Sequence, residues 1–133
     1  MAGPRFAQIP NVGVATISVA NTSRGGGGTV VDFWTPDATY GGKLDEIVVK
    51  ATDDPADSIV TIFYHNGSAH FIFDEFDLSN PAAASTTVES YRASRTYENL
   101  VVEPGHKLGA AITVALTAGD IKVFGFGADF VAL

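Results

Sequence analysis

At 133 residues, 46% of them apolar and with no cysteine, the chain is sized for one domain with a buried core, and it excludes a disulfide framework and any cysteine-based metal site. Its formal charge of −7, with basic residues mostly scattered, disfavours a phosphate backbone, so no nucleic-acid partner is expected. No apolar run of about 18 residues occurs and residues 1–5 carry no secretion-signal core, so no membrane partner is expected and synthesis is assigned to the cytoplasm.

Charged residues make up only 17% of the chain, against a usual ~25%. That leaves few residues for a solvated surface and predicts that partners or further copies cover part of it. The expectation is an oligomer or an assembly component.

Residues 1–11 hold Pro4 and Pro10 around Phe6 and Ile9. Proline interrupts ladder pairing, so an extended arm is predicted, placing Phe6 and Ile9 against a neighbouring subunit. Residues 12–133 are assigned to the folded domain. Residues 12–20 form a β-branched strand candidate, and Gly25 to Gly28 must be loop, because four consecutive glycines cost too much backbone entropy in a regular element. A phosphate cradle there is disfavoured: no Gly-Lys-Ser/Thr follows, and residues 29–34 look like a strand where a helix would be needed.

Strands are also predicted over residues 43–52 and 58–65. The second is apolar on both faces, as a strand buried on two sides would be. Asn66-Gly67 predicts a type I′ hairpin from there into residues 69–76. A polar edge strand is placed over residues 86–97, Pro104-Gly105 marks a turn, and residues 107–116 and 121–131 make the final pair. The last strand alternates Phe124, Phe126, Ala128 and Phe130 with Val123, Gly125, Gly127 and Asp129. Its aromatic face reads as core, and its glycine face as one that another layer or subunit approaches closely. These elements predict an all-β fold: a single-domain β-sandwich of about eight antiparallel strands, jelly-roll-like.

Candidate chemistry is sparse. His65 and His70 flank the hairpin turn, and Asp74 shares a strand face with His70, a set that would suit a small β-barrel hydrolase. Polar residues beside a solvated turn are the plainer reading. Asp53, Asp54 and Asp57 lack the remaining ligands of a calcium loop, and no serine elbow is present. No catalytic residue, cofactor or metal is therefore predicted. In a regular strand, adjacent aromatics cannot both point inward, so one each of Phe33-Trp34 and Phe63-Tyr64 should face out. Trp34 and Tyr64 join Phe6 and Ile9 as the expected subunit or capsid contacts.

The runs Val19-Ala20-Asn21-Thr22-Ser23, Gly28-Thr29-Val30-Val31-Asp32, Gly42-Lys43-Leu44-Asp45-Glu46-Ile47-Val48-Val49-Lys50, Ile62-Phe63-Tyr64-His65-Asn66-Gly67, Leu100-Val101-Val102-Glu103-Pro104-Gly105-His106 and Val123 to Phe130 resemble, in this order, small virion structural proteins of tailed bacteriophages. The resemblance covers the chain from about Ile17 to Phe130 through loosely specified strand-and-turn patterns. It implies a head decoration or cement protein: a non-enzymatic β-rich module on the capsid surface that stabilises the shell by bridging capsomers. The implied partners are the major capsid protein and further copies of the chain, with a homotrimer favoured. A tail, fibre or baseplate module with host-glycan binding is the alternative virion reading.

Overall fold

In the computed structural model, residues 5–53, 56–79, 84–115 and 119–132 are described, with backbone alone for residues 5–8. Eight strands run in chain order: β1 Arg5–Ile17, β2 Val31–Trp34, β3 Gly42–Ala51, β4 Ile59–His65, β5 His70–Asp77, β6 Arg92–Val102, β7 Lys107–Ile112 and β8 Ile121–Ala132. No helix occurs among the described residues.

One sheet has the order β1-β8-β3-β6 and the other β2-β7-β4-β5. All named strand pairs are antiparallel. First pairs with last, second with seventh, third with sixth and fourth with fifth, as when one long hairpin is rolled into two facing layers. That is a jelly roll, the arrangement expected from the strand pattern.

Residues 5–11 depart from the expected arm. They form the first half of β1, paired from Arg5 with Ala132 to Asn11 with Gly127. β1 is an edge strand, where a proline leaves no ladder bond unmade on the open side, and the register slips between Ala7 and Ile9 to accommodate the segment.

The core lies between the sheets. Its largest fully buried side chain is Trp34, 1% exposed, with Leu44, Ile47, Ile62, Leu78, Leu108 and Ile112 among its neighbours in the cluster. Trp34 lies on a floor of glycines from β8 and β3. A Cβ on Gly125 would stand 3.0 Å from the Trp34 Cβ, one on Gly127 3.0 Å from Cζ2, and one on Gly42 2.9 Å from Cη2. The indole Nε1–H donates to the Asn11 carbonyl at 3.0 Å, tying β2 to β1.

Register shifts explain how consecutive apolar residues share the interior. Phe33 and Trp34 are both buried, and the β2–β7 register slips between Asp32 and Trp34. A bulge turns the next side chain onto the same side. β3 slips against both neighbours between Leu44 and Glu46, so Leu44 and Ile47 both reach the core.

The Asn66-Gly67 hairpin joins β4 to β5, with His65 opposite His70. Its turn differs from type I′, because Gly67 has positive φ and Asn66 does not. Asn66 Oδ1 instead accepts from the Ser68 and Ala69 backbone N–H groups, a side-chain cap that closes a longer loop.

At the open side of the sandwich, β6 faces β5 through polar groups. Asp74 accepts from Tyr97 Oη–H and pairs with Arg95, Tyr91 Oη–H donates to the Asp77 carbonyl at 2.8 Å, and the Arg95 guanidinium lies 4.8 Å over the Phe76 ring. Burial first, then the bond to Asp74, raises the Tyr97 pKa well above its ordinary value.

The two outer faces are finished differently. Over the β2-β7-β4-β5 sheet passes the glycine-rich loop between β1 and β2: the Asn21 N–H donates to Ile112 O at 2.8 Å, Arg24 pairs with Glu75, and Gly26 abuts the His70 backbone. Asn21 Nδ2–H donates to the Gly27 and Thr29 carbonyls, and its Oδ1 accepts from Ser23 N–H. The loop is thereby filled by its own side chain and has no open cradle. On that same sheet Phe63 is fully buried although it lies outside the inter-sheet cluster. β4 is thus covered on both sides, as its doubly apolar pattern predicts.

Candidate interaction surface

The four expected contact residues separate. Ile9 is exposed at 53%. Phe6 lies in β1 opposite Val131, and its side chain falls outside the described residues. Trp34 is a core residue, because the register slip in β2 brings both members of its aromatic pair inside. Tyr64 is half-buried, with its hydroxyl 2.7 Å from His106 Nδ1 and accepting from the Glu103 N–H at 3.3 Å. It braces the β6–β7 turn.

His65 and His70 do meet, with ring centroids 4.3 Å apart. Asp74 does not join them: the β4–β5 register slips between Ile62 and Phe63, and Asp74 is committed to Tyr97 and Arg95. Among the described residues no group of three or more His, Asp or Glu side chains is placed to hold a metal. Asp54 lies outside them.

Burial lowers the His70 pKa, followed by repulsion from His65; Asp32 opposes this and Lys107 adds to it. A depressed histidine binds its proton less readily in the folded chain than in the unfolded one, so stability falls as pH drops below about 6.5. The loss levels off once the folded chain is protonated too. Urea midpoints should decline from pH 7.5 to 5.5, and His70→Gln should flatten the decline; an unchanged slope in the variant would assign it to other groups.

The surface that sequence reasoning misplaced is the outer face of the β1-β8-β3-β6 sheet. Ile121, Val123 and Gly125 of β8 point inward, so Phe124 and Phe126 point out, their rings stacked with centroids 6.1 Å apart. Across the ladder, Val14 stands opposite Phe124 and Val12 opposite Phe126, and these valines are 56% and 60% exposed. Glu46, Val48, Lys50 and Arg92 complete an open groove with the two rings. The signal was present in Lys122, which shares the alternation of Phe124 and Phe126, whereas Ile121 and Val123 share that of the glycines.

Comparison with known proteins finds this architecture elsewhere. The chain shares its fold with part of a phage capsid. A chain of the acidic stable capsid structure of Helicobacter pylori bacteriophage KHP30 superposes with a TM-score of 0.54 at 10% identity, over 98% of this chain and 97% of that one. No protein-family model matches, and no curated protein matches by sequence.

Proposed function

We propose that the chain is a structural virion protein of a tailed phage, seated on the outside of the head as a decoration or cement protein. The observation that carries this reading is the end-to-end likeness to a chain of a phage capsid structure, in which nearly the whole of both chains takes part. It agrees with the order of strand-and-turn motifs in the sequence and with the low charge content. The polar clusters also have structural partners: Asp74 closes the sandwich edge, and Asn21 fills its own loop.

In this reading the work is burial and not bond chemistry. A subunit contact of standard size removes about 1,600 Å² from water. Repeated seating around a symmetric shell turns modest contacts into lasting occupancy, and a trimer bridging neighbouring copies of the major capsid protein would hold capsomers together.

Cryo-electron microscopy of particles from the phage that encodes the chain tests this directly. The expected result is jelly-roll density on the outer head surface, at sites where capsomers meet. Heads lacking the chain should also rupture at lower temperature than complete ones. Density confined to the tail or baseplate would overturn the head assignment in favour of a tail module.

A further inference from the structure

Among the described residues, the glycine-rich loop covers the outer face of the β2-β7-β4-β5 sheet and nothing covers the outer face of the other sheet. On this face, Val12, Val14, Phe124 and Phe126 form two adjacent rows across β1 and β8, continued on β3 by Val48, itself buried at 7% exposure, opposite Phe124 and by Glu46 opposite Phe126. The next row is basic. Lys122 stands opposite Thr16 on one side and Lys50 on the other, and Lys50 stands opposite Arg92. Three of the eight Lys and Arg residues of an acidic chain thus border these apolar rows.

The cations are held in place. Lys50 Nζ–H donates to the Ser90 carbonyl at 3.0 Å and Lys122 Nζ–H to Thr16 Oγ1 at 2.6 Å. Asp120 lies 3.4 Å from Lys122 Nζ, so it offsets part of one charge. Arg92 and Lys50 extend the positive border along the groove.

We infer that this face is the seat on the head shell, and that it takes a protein surface with an apolar centre bordered on one side by carboxylates. The inference rests on the head reading above and names the surface that performs it. Charge decides between occupants. Among the described residues, the same face of a second copy offers Glu46 as the unpaired carboxylate of its groove, since Asp45 is paired with Lys43 and Asp120 with Lys122, against Lys50, Lys122 and Arg92, so two copies stacked face to face share an excess of positive charge. A partner surface bearing carboxylates matches the basic row, while Val12, Val14 and the two rings supply the desolvated centre.

The test uses heads of the encoding phage, stripped of this protein by mild denaturant, and purified full-length chain added back. Wild type should rebind, and raised salt should weaken it. The double variant Val12→Lys, Val14→Lys should lose at least tenfold in affinity, and Arg92→Glu should weaken binding several-fold while reducing its salt dependence. Val19→Lys and Val114→Lys, at valines comparably exposed elsewhere, should bind as wild type does. Unchanged melting temperatures separate lost contact from lost fold. If wild type binds and the valine pair binds equally well, the face assignment is wrong while the head reading stands. If wild type does not rebind, both fall. If the valine pair instead breaks up a self-associated form in the absence of heads, the occupant is a second copy and the inference is overturned.

Discussion

Trp34→Ala is expected to cost the fold about 3–5 kcal/mol, the range for removing a large aromatic ring from a core that collapses only partly around the gap. The ring fills the space above Gly42, Gly125 and Gly127, and glycines offer no side chain that can swing in to occupy it. The Asn11 carbonyl also loses its indole donor, adding roughly 1 kcal/mol. Since small domains are stable by about 5–15 kcal/mol in total, the variant should unfold at a far lower urea concentration than wild type, if it folds at all. Trp34→Phe keeps most of the ring area and loses the hydrogen bond, so its midpoint should fall between the two. A loss under about 1 kcal/mol for the alanine variant would mean that the glycine floor does not depend on the indole.

Gly13→Ala should also be destabilising, for a different reason. A Cβ at Gly13 would collide with the Phe33 carbonyl oxygen and stand 3.2 Å from the Trp34 Cα. Both obstacles are backbone, so β1 and β2 must separate locally to admit the methyl group; overpacking of this kind costs about 1–3 kcal/mol or more. Gly25→Ala supplies the internal comparison. Nothing lies within 4 Å of a Cβ there and its φ is not in the left-handed region, so the main effect is fewer unfolded conformations and a gain of about 0.4–1 kcal/mol. Opposite shifts in the urea midpoints of these two alanine variants are expected. Equal shifts would show that the close approach of β1 to β2 is looser than described.

Much of the fold was legible because strands and turns are local events. Alternation located β8, an apolar run bounded by turn residues located β4, glycine and proline marked the breaks between strands, and the doubly apolar pattern of β4 announced cover on both sides. The unequal faces of β8 likewise announced a close approach to Gly125 and Gly127.

The candidate surface was not legible, and the reason lies in what alternation encodes. A period of two assigns residues to faces without saying which face is inward. In β8 the bulky rings suggested the core, yet the bare face is the inward one, because Trp34, from a distant part of the chain, supplies the volume that the glycines lack. Adjacent residues Phe33 and Trp34 are both inside because β2 slips against β7, a property of the pair of strands and not of either alone. Asp74 joins Tyr97 and Arg95 because the sandwich brings β6 over β5, and β1 keeps its proline-bearing first half because it runs along a sheet edge. The sequence by itself determined most of the strands and turns, through dihedral preference and local hydrogen bonding, but not residues 5–11, which pair as the first half of β1, nor the bounds of β6, which runs over Arg92–Val102 where residues 86–97 were expected. Tertiary structure decided strand order, the inward face of β8 and hence the apolar surface left uncovered, since each of these depends on which distant side chain fills a given volume.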